Sequence, residues 1–377
     1  MNFRRLGAIF RKEALHILRD VRSLIAALLV PVSMLLLFGY ALTLDVDRIP
    51  TAVHDLDETP ESRALIERFR GSRYFTIARQ DGGYSAMEVE IDHGRLLLGI
   101  IIPRGYARTL ARSEEAQVQL LLDGSDSNTA SIAAGYAEAV VIAHAADLRD
   151  QALRARGMGE LKMPLDPRIR VLYNNELKSK NFIIPGLIAV ILMIISALLT
   201  SLTVAREWES GTMEQLLSTP VRPAELLLGK LLAYFVLGMT DMAVALVLGV
   251  GVFGVPLNGS LWLLTAFCAL FLFGALCWGI FLSTVTRSQL LAFQASMVSS
   301  FLPAFLLSGF MYAIENMPFI VQQVTRIVPA RYFVTALQGI FLKGVGLDVL
   351  WGEAVFLLLY AGLVFTLAVR KMRQKMA

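Results

Sequence analysis

Apolar residues in this chain gather into long runs, and a run of roughly 20 is what crosses about 30 Å of hydrocarbon as a helix. Six stretches meet that length: 23–44, 181–205, 225–255, 260–286, 289–310 and 349–370. Between the first and second lies a polar insert, 45–180, with a different rhythm. It alternates β-like runs (IPTAVHD, RYFTIAR, LLLGIIIP, AQVQLLLDG) with helical ones beginning near Thr59, Ser85 and Gly105, the pattern of a small α/β domain. It then reads as one long helix from Ser125 to Gly157, with Ser, Asp and Asn to cap its start and glycine to end it. Past MPLDP, the stretch RIRVLYNNELKSK suggests a strand and a polar turn leading into the second span.

The polar ends carry their own patterns. In residues 1–22, Phe3, Leu6, Phe10, Ala14 and Ile17 recur at helical spacing, with Arg5, Lys12 and Arg19 on another row. This is an amphipathic helix lying in the membrane interface. Residues 311–348 are apolar but interrupted by Pro318, Arg326, Pro329 and Arg331. Two short helices folded back at the outer leaflet fit better than a span, because irregular backbone at membrane depth must be buried in protein or face a cavity.

Composition and charge turn these elements into a topology. The chain is 56% hydrophobic and 18% charged over 377 residues, which indicates a membrane protein. The insert holds 18 Lys and Arg against 21 Asp and Glu, a net −3, so the overall +4 leaves +7 on the membrane part. Basic residues crowd before the first span and in the tail, 371–377, with Arg370 just ahead of it. The positive-inside rule then makes both termini cytoplasmic and the insert extracytoplasmic. The excess positive charge is a topology signal and calls for no nucleic-acid partner. The expected fold is a polytopic α-helical membrane protein with six transmembrane helices, plus an α/β extracytoplasmic domain inserted between helices 1 and 2. The first span reads as a retained anchor, since it exceeds an ordinary signal-peptide core. Cys268 and Cys277 share the fourth span on nearly opposite faces and cannot bridge each other.

The polar link 206–224, in the stretch REWESGTMEQLLSTPVRPAELLLGK, is the densest in signals. Gly211 offers the left-handed position that ends a helix. Thr212 with Gln215 has the form of a capping box. Pro220 stops the new helix, and Pro223 with Glu225 starts the next. Met213, Leu216 and Leu217 form an apolar ridge, with Glu214 and Ser218 off it. Glu207 and Glu209 would be available for pairing, and Lys230 would extend back to the interface. A capped, two-sided stub between stiff helices suits a cytoplasmic partner that pushes on it.

These residues resemble the cytoplasmic loop of ABC-2 type transporter permeases. VLYNNELKSKNFIIPGLIAV, STVTRSQ and LSGFMYAIENMP…VPARYFVTALQGIFLKG are similar to the large-insert, multidrug-type exporter branch of that family. The likeness covers essentially the whole chain. It implies a bacterial inner-membrane permease subunit paired with a second permease, identical or paralogous, and a cytoplasmic ABC ATPase subunit that holds ATP and Mg. It further implies that the N-terminal helix, with Arg11 and Lys12, and the loop residues Arg206, Glu207, Glu209, Gly211, Thr212, Met213, Glu214, Leu216 and Leu217 sit on that ATPase. The short helices of 311–348 would line the outer gate, and the insert offers a surface to a periplasmic membrane-fusion adaptor. The cargo would be a small amphiphilic compound or a lipid-linked molecule.

The remaining chemistry is sparse. No GxxxxGK[ST] phosphate loop occurs, so ATP would be hydrolysed by another chain. His16, His54, His93 and His144 lack metal-ligand spacing, and no GxSxG elbow marks a nucleophile, so neither cofactor nor catalytic residue is expected in this chain. Asp241, near the middle of the third span, would face a translocation path or a dimer interface, or else bond to Thr240 or a neighbouring helix. Phe301, Phe305, Phe310 and Met311 are candidates for an apolar path. The competing reading is a non-transporting membrane receptor or envelope assembly factor, which needs no ATPase partner.

Overall fold

The structure, a computed structural model, describes residues 2–41, 47–80, 83–112, 114–155, 172–174 and 178–376. The chain divides into two compact units, one comprising 1–43 with 171–377 and the other 44–170. The helical unit begins with α1 (Phe3–Arg19) and α2 (Val21–Ala41). Asn2 caps α1, its side chain accepting from the Arg4 backbone N–H at 3.0 Å.

The second unit has a sheet of four strands among the described residues, in the order β2-β1-β3-β4. In chain order it runs β1 (Ile49–Asp55), α3 (Pro60–Gly71), β2 (Phe75–Gln80), α4 (Tyr84–Asp92), β3 (Leu98–Ile102), α5 (Tyr106–Ala111), β4 (Gln119–Leu122) and α6 (Ser127–Ala155). The strands β2 and β3 flank β1 in parallel, while β4 returns antiparallel to β3. All five residues of β3 are buried, as befits a strand covered on both faces. One face packs Val53, Leu98, Ile100 and Ile102 with Leu65 and Phe69 of α3 and Ala133 and Ala137 of α6. The other packs Ala52 and Ile101 against Met87 of α4. Thr59 and Ser62 close a capping box at α3, and Asp57 accepts from the backbone N–H groups of Gly105 (2.7 Å) and Ala107 (2.9 Å) where α5 starts. The strand expected before the second span falls mostly outside the described residues, and 172–174 are not strand.

The helical unit resumes with α7 (Ser179–Glu209), α8 (Thr212–Leu217), α9 (Pro223–Gly251) and α10 (Leu261–Thr286). Next come α11 (Gln289–Ser296), a π-helical turn over Met297–Phe301 and α12 (Leu302–Leu306), which follow one another without a break. After a short 3₁₀ turn, α13 (Phe319–Thr325) and α14 (Pro329–Gln338) fill the segment expected to fold back, followed by α15 (Leu347–Met376). Among the described residues, six helical stretches are long and apolar enough to cross a membrane: Thr129–Ala152, Ser179–Glu209, Pro223–Gly251, Leu261–Thr286, Gln289–Leu306 and Leu347–Lys375. The set differs from the sequence expectation at one place. The stretch within α6 qualifies by composition, yet its Ala133 and Ala137 are spent on the sheet and its Asp147 pairs with Arg68 of α3, so it belongs to the α/β unit. In α2 the apolar helix that qualifies is shorter, Ala27–Ala41. The 21 residues of α2 nevertheless reach about 31 Å at 1.5 Å per residue, and its Leu35 is buried with α7.

Every residue from Ile183 to Ala197 in α7 is buried. A helix that is apolar on all sides finds its minimum at the centre of a bundle, and α7 packs against α2, α9, α10, α11 and α14. Closest approach is on α10, where a Cβ added to Gly279 would lie 2.0 Å from Thr200 Oγ1 and 2.5 Å from the Ala197 carbonyl. One turn further along, Ser283 Oγ accepts from the backbone N–H groups of Val204 (3.0 Å) and Ala205 (2.8 Å). Gly279→Leu forces these helices apart. The expected outcome is a destabilisation of about 1–3 kcal/mol or more, read as a fall in the unfolding temperature of the purified chain, whereas Gly7→Leu, where a Cβ meets nothing, leaves it unchanged.

Candidate functional site

At the polar end of α7, four segments converge. Gly211, with φ +73°, makes the left-handed turn from α7 into α8, a conformation that glycine adopts without steric cost. The capping box expected from Thr212 and Gln215 does not form. Gly211 occupies the N-cap, and the Thr212 hydroxyl instead donates to the Glu207 carbonyl (3.4 Å) and meets Ser210 Oγ at 3.0 Å. Pro223 takes the first helical position of α9. Beside it, Glu225 accepts from the backbone N–H groups of Arg222 (3.3 Å) and Asn2 (2.7 Å), which ties the start of α1 to the start of α9. Arg5 donates to the Pro220 carbonyl.

From there α1 lies along α9, with Ile9, Glu13 and Ile17 as its buried row. The row expected from Phe3, Leu6, Phe10, Ala14 and Ile17 is therefore rotated, and Phe3 is exposed. The contact is close because α9 presents Gly229, where a Cβ would stand 2.6 Å from Ile9 Cγ2.

One turn along each helix sits a charge quartet. Lys230 Nζ lies 2.8 Å from Glu13 Oε1 and 2.9 Å from Glu207 Oε1, and Lys12 Nζ lies 2.7 Å from the same Glu207 oxygen and 3.2 Å from Glu13 Oε1. Lys230 is 1% exposed, Glu13 3% and Glu207 7%. Two cations and two anions make the cluster neutral, which allows charges to stay buried. Burial pushes the Glu13 carboxyl up, but Lys230 and Lys12 outweigh it and hold the group below the usual carboxylate range. Burial likewise pushes Lys12 down, and Glu207 with Glu13 more than restores it, so its ammonium sits above its ordinary value. The quartet borders a cavity of about 520 Å³ also lined by His16, Arg206, Gln215, Leu216 and Tyr234.

The turn between α10 and α11 closes the assembly. Glu209 accepts from the Gln289 backbone N–H at 2.8 Å and from its side-chain amide; these bonds hold its carboxyl below the ordinary range. Arg287 lies over the Trp208 ring at 4.4 Å, a cation–π distance. Arg206 meets Gln289 Oε1 at 3.4 Å and His16 Nε2 at 3.3 Å.

Several expectations change as a result. Glu207 is an internal strut and cannot pair with a partner from the surface. Lys230 does not extend to the interface but is enclosed. Met213 is fully buried in the chain's own core with Leu226, Leu227 and Ile280, so it is no exposed ridge. Leu216 is half-buried, and the side chain of Leu217 lies outside the described residues. Arg11, Gly211, Thr212 and Glu214 are exposed. Sequence reasoning missed Glu13 and Tyr234; an acid between Ile9 and Ile17, four residues from each, was the signal.

The second candidate group is not one site. Asp241 is 3% exposed, and neither carboxylate oxygen has a hydrogen-bond partner among the described residues. Thr240 donates to the Val236 carbonyl, so the expected bond between these neighbours is absent. Asp241 borders a cavity of about 10 Å³ with Pro31, Ile191, Ile195 and Ser196, whereas Phe301, Phe305 and Phe310 form a separate row, with centroids 5.6 and 6.0 Å apart. Phe310 packs on Gly186 of α7, while Met311 is exposed.

Replacing Lys230 with Met leaves Glu13 and Glu207 sharing Lys12 alone. Breaking a buried pair in this way costs about 3–5 kcal/mol, expected as a marked fall in unfolding temperature that Glu13→Gln in the same chain partly reverses by restoring neutrality. The sign with pH follows from the shifts. The Glu13 contribution is complete above the unfolded carboxyl value of about 4.3 and is lost as pH falls through the lower folded value. The Lys12 contribution is complete below about 10.4 and is lost as pH rises through the higher folded value. The stability that Glu13 and Lys12 contribute to the wild type therefore stays flat from about pH 5 to 9, as melting of the wild type at a series of pH values would show.

A family model described as ABC-2 family transporter protein matches residues 22–370. The probable multidrug ABC transporter permease YbhS of Escherichia coli K12 is 37% identical over 346 residues, spanning 91% of this chain and 90% of that protein. The probable multidrug ABC transporter permease YbhR of the same strain is 31% identical over 373 residues, 99% of each. The inner membrane transport permease YhhJ, also of that strain, is 28% identical over 328 residues, 86% of this chain and 85% of that protein. With a membrane helical unit built around α7 and a match over nearly its whole length, the chain belongs to the ABC-2 transporter family.

Proposed function

We propose that this chain is the permease subunit of an ATP-driven exporter, and that the end of the helical unit carrying the quartet receives force from a separate nucleotide-hydrolysing subunit in the cytoplasm. The observation that carries the reading is the quartet itself. It fastens α1, the end of α7 and the start of α9 together by charge contacts of 2.7–3.2 Å, in which Glu13, Glu207 and Lys230 are buried. A push on any of these elements is then delivered to two spans as one rigid body. The surface open to the partner consists of Arg11, Gly211, Thr212, Glu214, Gln215 and Ser218, all exposed. Met213, buried beneath α8, passes the displacement to α9 and α10.

In this reading ATP and Mg belong to the partner, a second permease completes the pathway, and the α/β unit lies in the periplasm, where an adaptor docks. Both termini are cytoplasmic in a bacterial inner membrane. The names of the relatives YbhS and YbhR favour a small amphiphilic cargo over a lipid-linked one.

Glu214→Arg reverses an exposed charge without touching the quartet. The expected outcome is about tenfold weaker recovery of the nucleotide-hydrolysing subunit, equivalent to ~1.4 kcal/mol, at an unchanged unfolding temperature of the permease; full recovery of a catalytically coupled complex would refute the assigned surface. Orientation has its own test. Cys268 and Cys277 are buried, so a membrane-impermeant maleimide reports on introduced cysteines. It should label Ser125→Cys in spheroplasts and Ser218→Cys only after lysis; the reverse order would invert the proposed topology.

A further inference from the structure

The α/β unit contains a cavity of about 580 Å³ between α3, α5 and α6, lined on its apolar side by Leu65, Tyr106, Leu110, Val141 and Leu148. That volume lies in the range of roughly 300–1,000 Å³ typical of small-molecule sites. The charged residues bordering it, Glu61, Glu114 and Arg149, are all exposed, and none of the three is in a salt bridge among the described residues. His144 of α6 also borders the cavity and is 6% exposed. Both its ring nitrogens are shut off from solvent, and neither has a hydrogen-bond partner among the described residues. Buried polar atoms in folded proteins are nearly always paired, so an imidazole with both nitrogens idle asks for a missing partner. Burial holds the ring below its ordinary value, Arg68 adds to this, and Asp147 opposes it. The ring is therefore neutral near pH 7, with one donor and one acceptor to offer.

We propose that this cavity binds a small uncharged amphiphile, whose hydroxyl or amide head engages His144 while its apolar body lies against Leu65, Leu110, Val141 and Leu148. The head must be uncharged because the interior offers a neutral imidazole and no ion. Two carboxylates and one guanidinium at the rim set no strong preference of sign. The head must donate or accept one hydrogen bond, since either imidazole nitrogen can serve it, and binding requires the ring to turn from its shielded position toward the cavity. This site lies wholly within the α/β unit and does not depend on the export reading.

The test uses the full chain in lipid nanodiscs and a diazirine-bearing analogue of octan-1-ol, with adducts located by mass spectrometry. The expected result is saturable labelling of peptides carrying Leu110, Val141 and Leu148, competed by octan-1-ol. Labelling of the spans by partitioning from the bilayer does not saturate. Ala145→Trp, which fills the cavity from its edge, abolishes the saturable component without altering the unfolding temperature. His144→Phe keeps an aromatic ring but removes the polar anchor, and raises the half-saturating concentration by about fivefold, the effect of one lost hydrogen bond. The corresponding diazirine alkane, without the hydroxyl, binds wild type and His144→Phe alike. Absence of saturable labelling in the unit, or labelling indifferent to both Ala145→Trp and His144→Phe, overturns the proposal, as does protection of the cavity peptides by a bound protein adaptor but not by octan-1-ol.

Discussion

The arrangement at the polar end of the helical unit depends on keeping Lys230, Glu13 and Glu207 buried and mutually neutralised, with the exposed Lys12 completing the cluster at its rim. None of the three buried groups could remain there alone, because moving an isolated charge out of water costs far more than any single contact returns. α1 contributes one lysine and one glutamate, while α7 and α9 contribute one charge each, so loss of α7 or α9 leaves a net charge and loss of α1 leaves Glu207 with Lys230 alone. The members of the joint come from positions 12, 13, 207 and 230. Gly229 makes the joint possible by letting Ile9 come within reach of the α9 backbone.

The joint has a stiff support behind it. α7 carries Glu207 near its polar end and is buried on all sides from Ile183 to Ala197, so a displacement of Glu207 is transmitted into the centre of the bundle. Gly279 and Ser283 of α10 hold α7 at close range just before that end, and the α10–α11 turn grips its final residues through Glu209 and Trp208. Tight packing with few voids resists gradual deformation, and helices so connected shift as bodies. The π-helical turn at Met297–Phe301 and the non-helical residue Leu350 interrupt two other helices.

The α/β unit follows a separate logic. Its sheet is satisfied on both faces by α3, α6 and α4, and Asp57 and Thr59 settle the backbone donors at two helix starts. Among the described residues of this unit, His54 leaves one buried ring nitrogen unpaired and His144 leaves both, the latter beside a cavity.

The sequence by itself determined the long elements and the family. Apolar runs have little choice but to be helices in a membrane, and the alternation from Ile49 to Leu122 carries the period of strands and helices in turn. Gly211 and Pro223 act through local backbone sterics, so their roles in the turn and in starting α9 were legible. Partnership was not. Whether Glu207 faces a partner or Lys230, and whether Met213 is a ridge or core, depend on what stands opposite in space. The stretch in α6 is apolar enough to span a membrane, yet the sequence reading kept it in the polar insert, and its packing on the sheet agrees. Period fixes which residues share a face, but tertiary structure alone decides what that face meets, because contacts between residues some 200 positions apart leave no trace in local spacing.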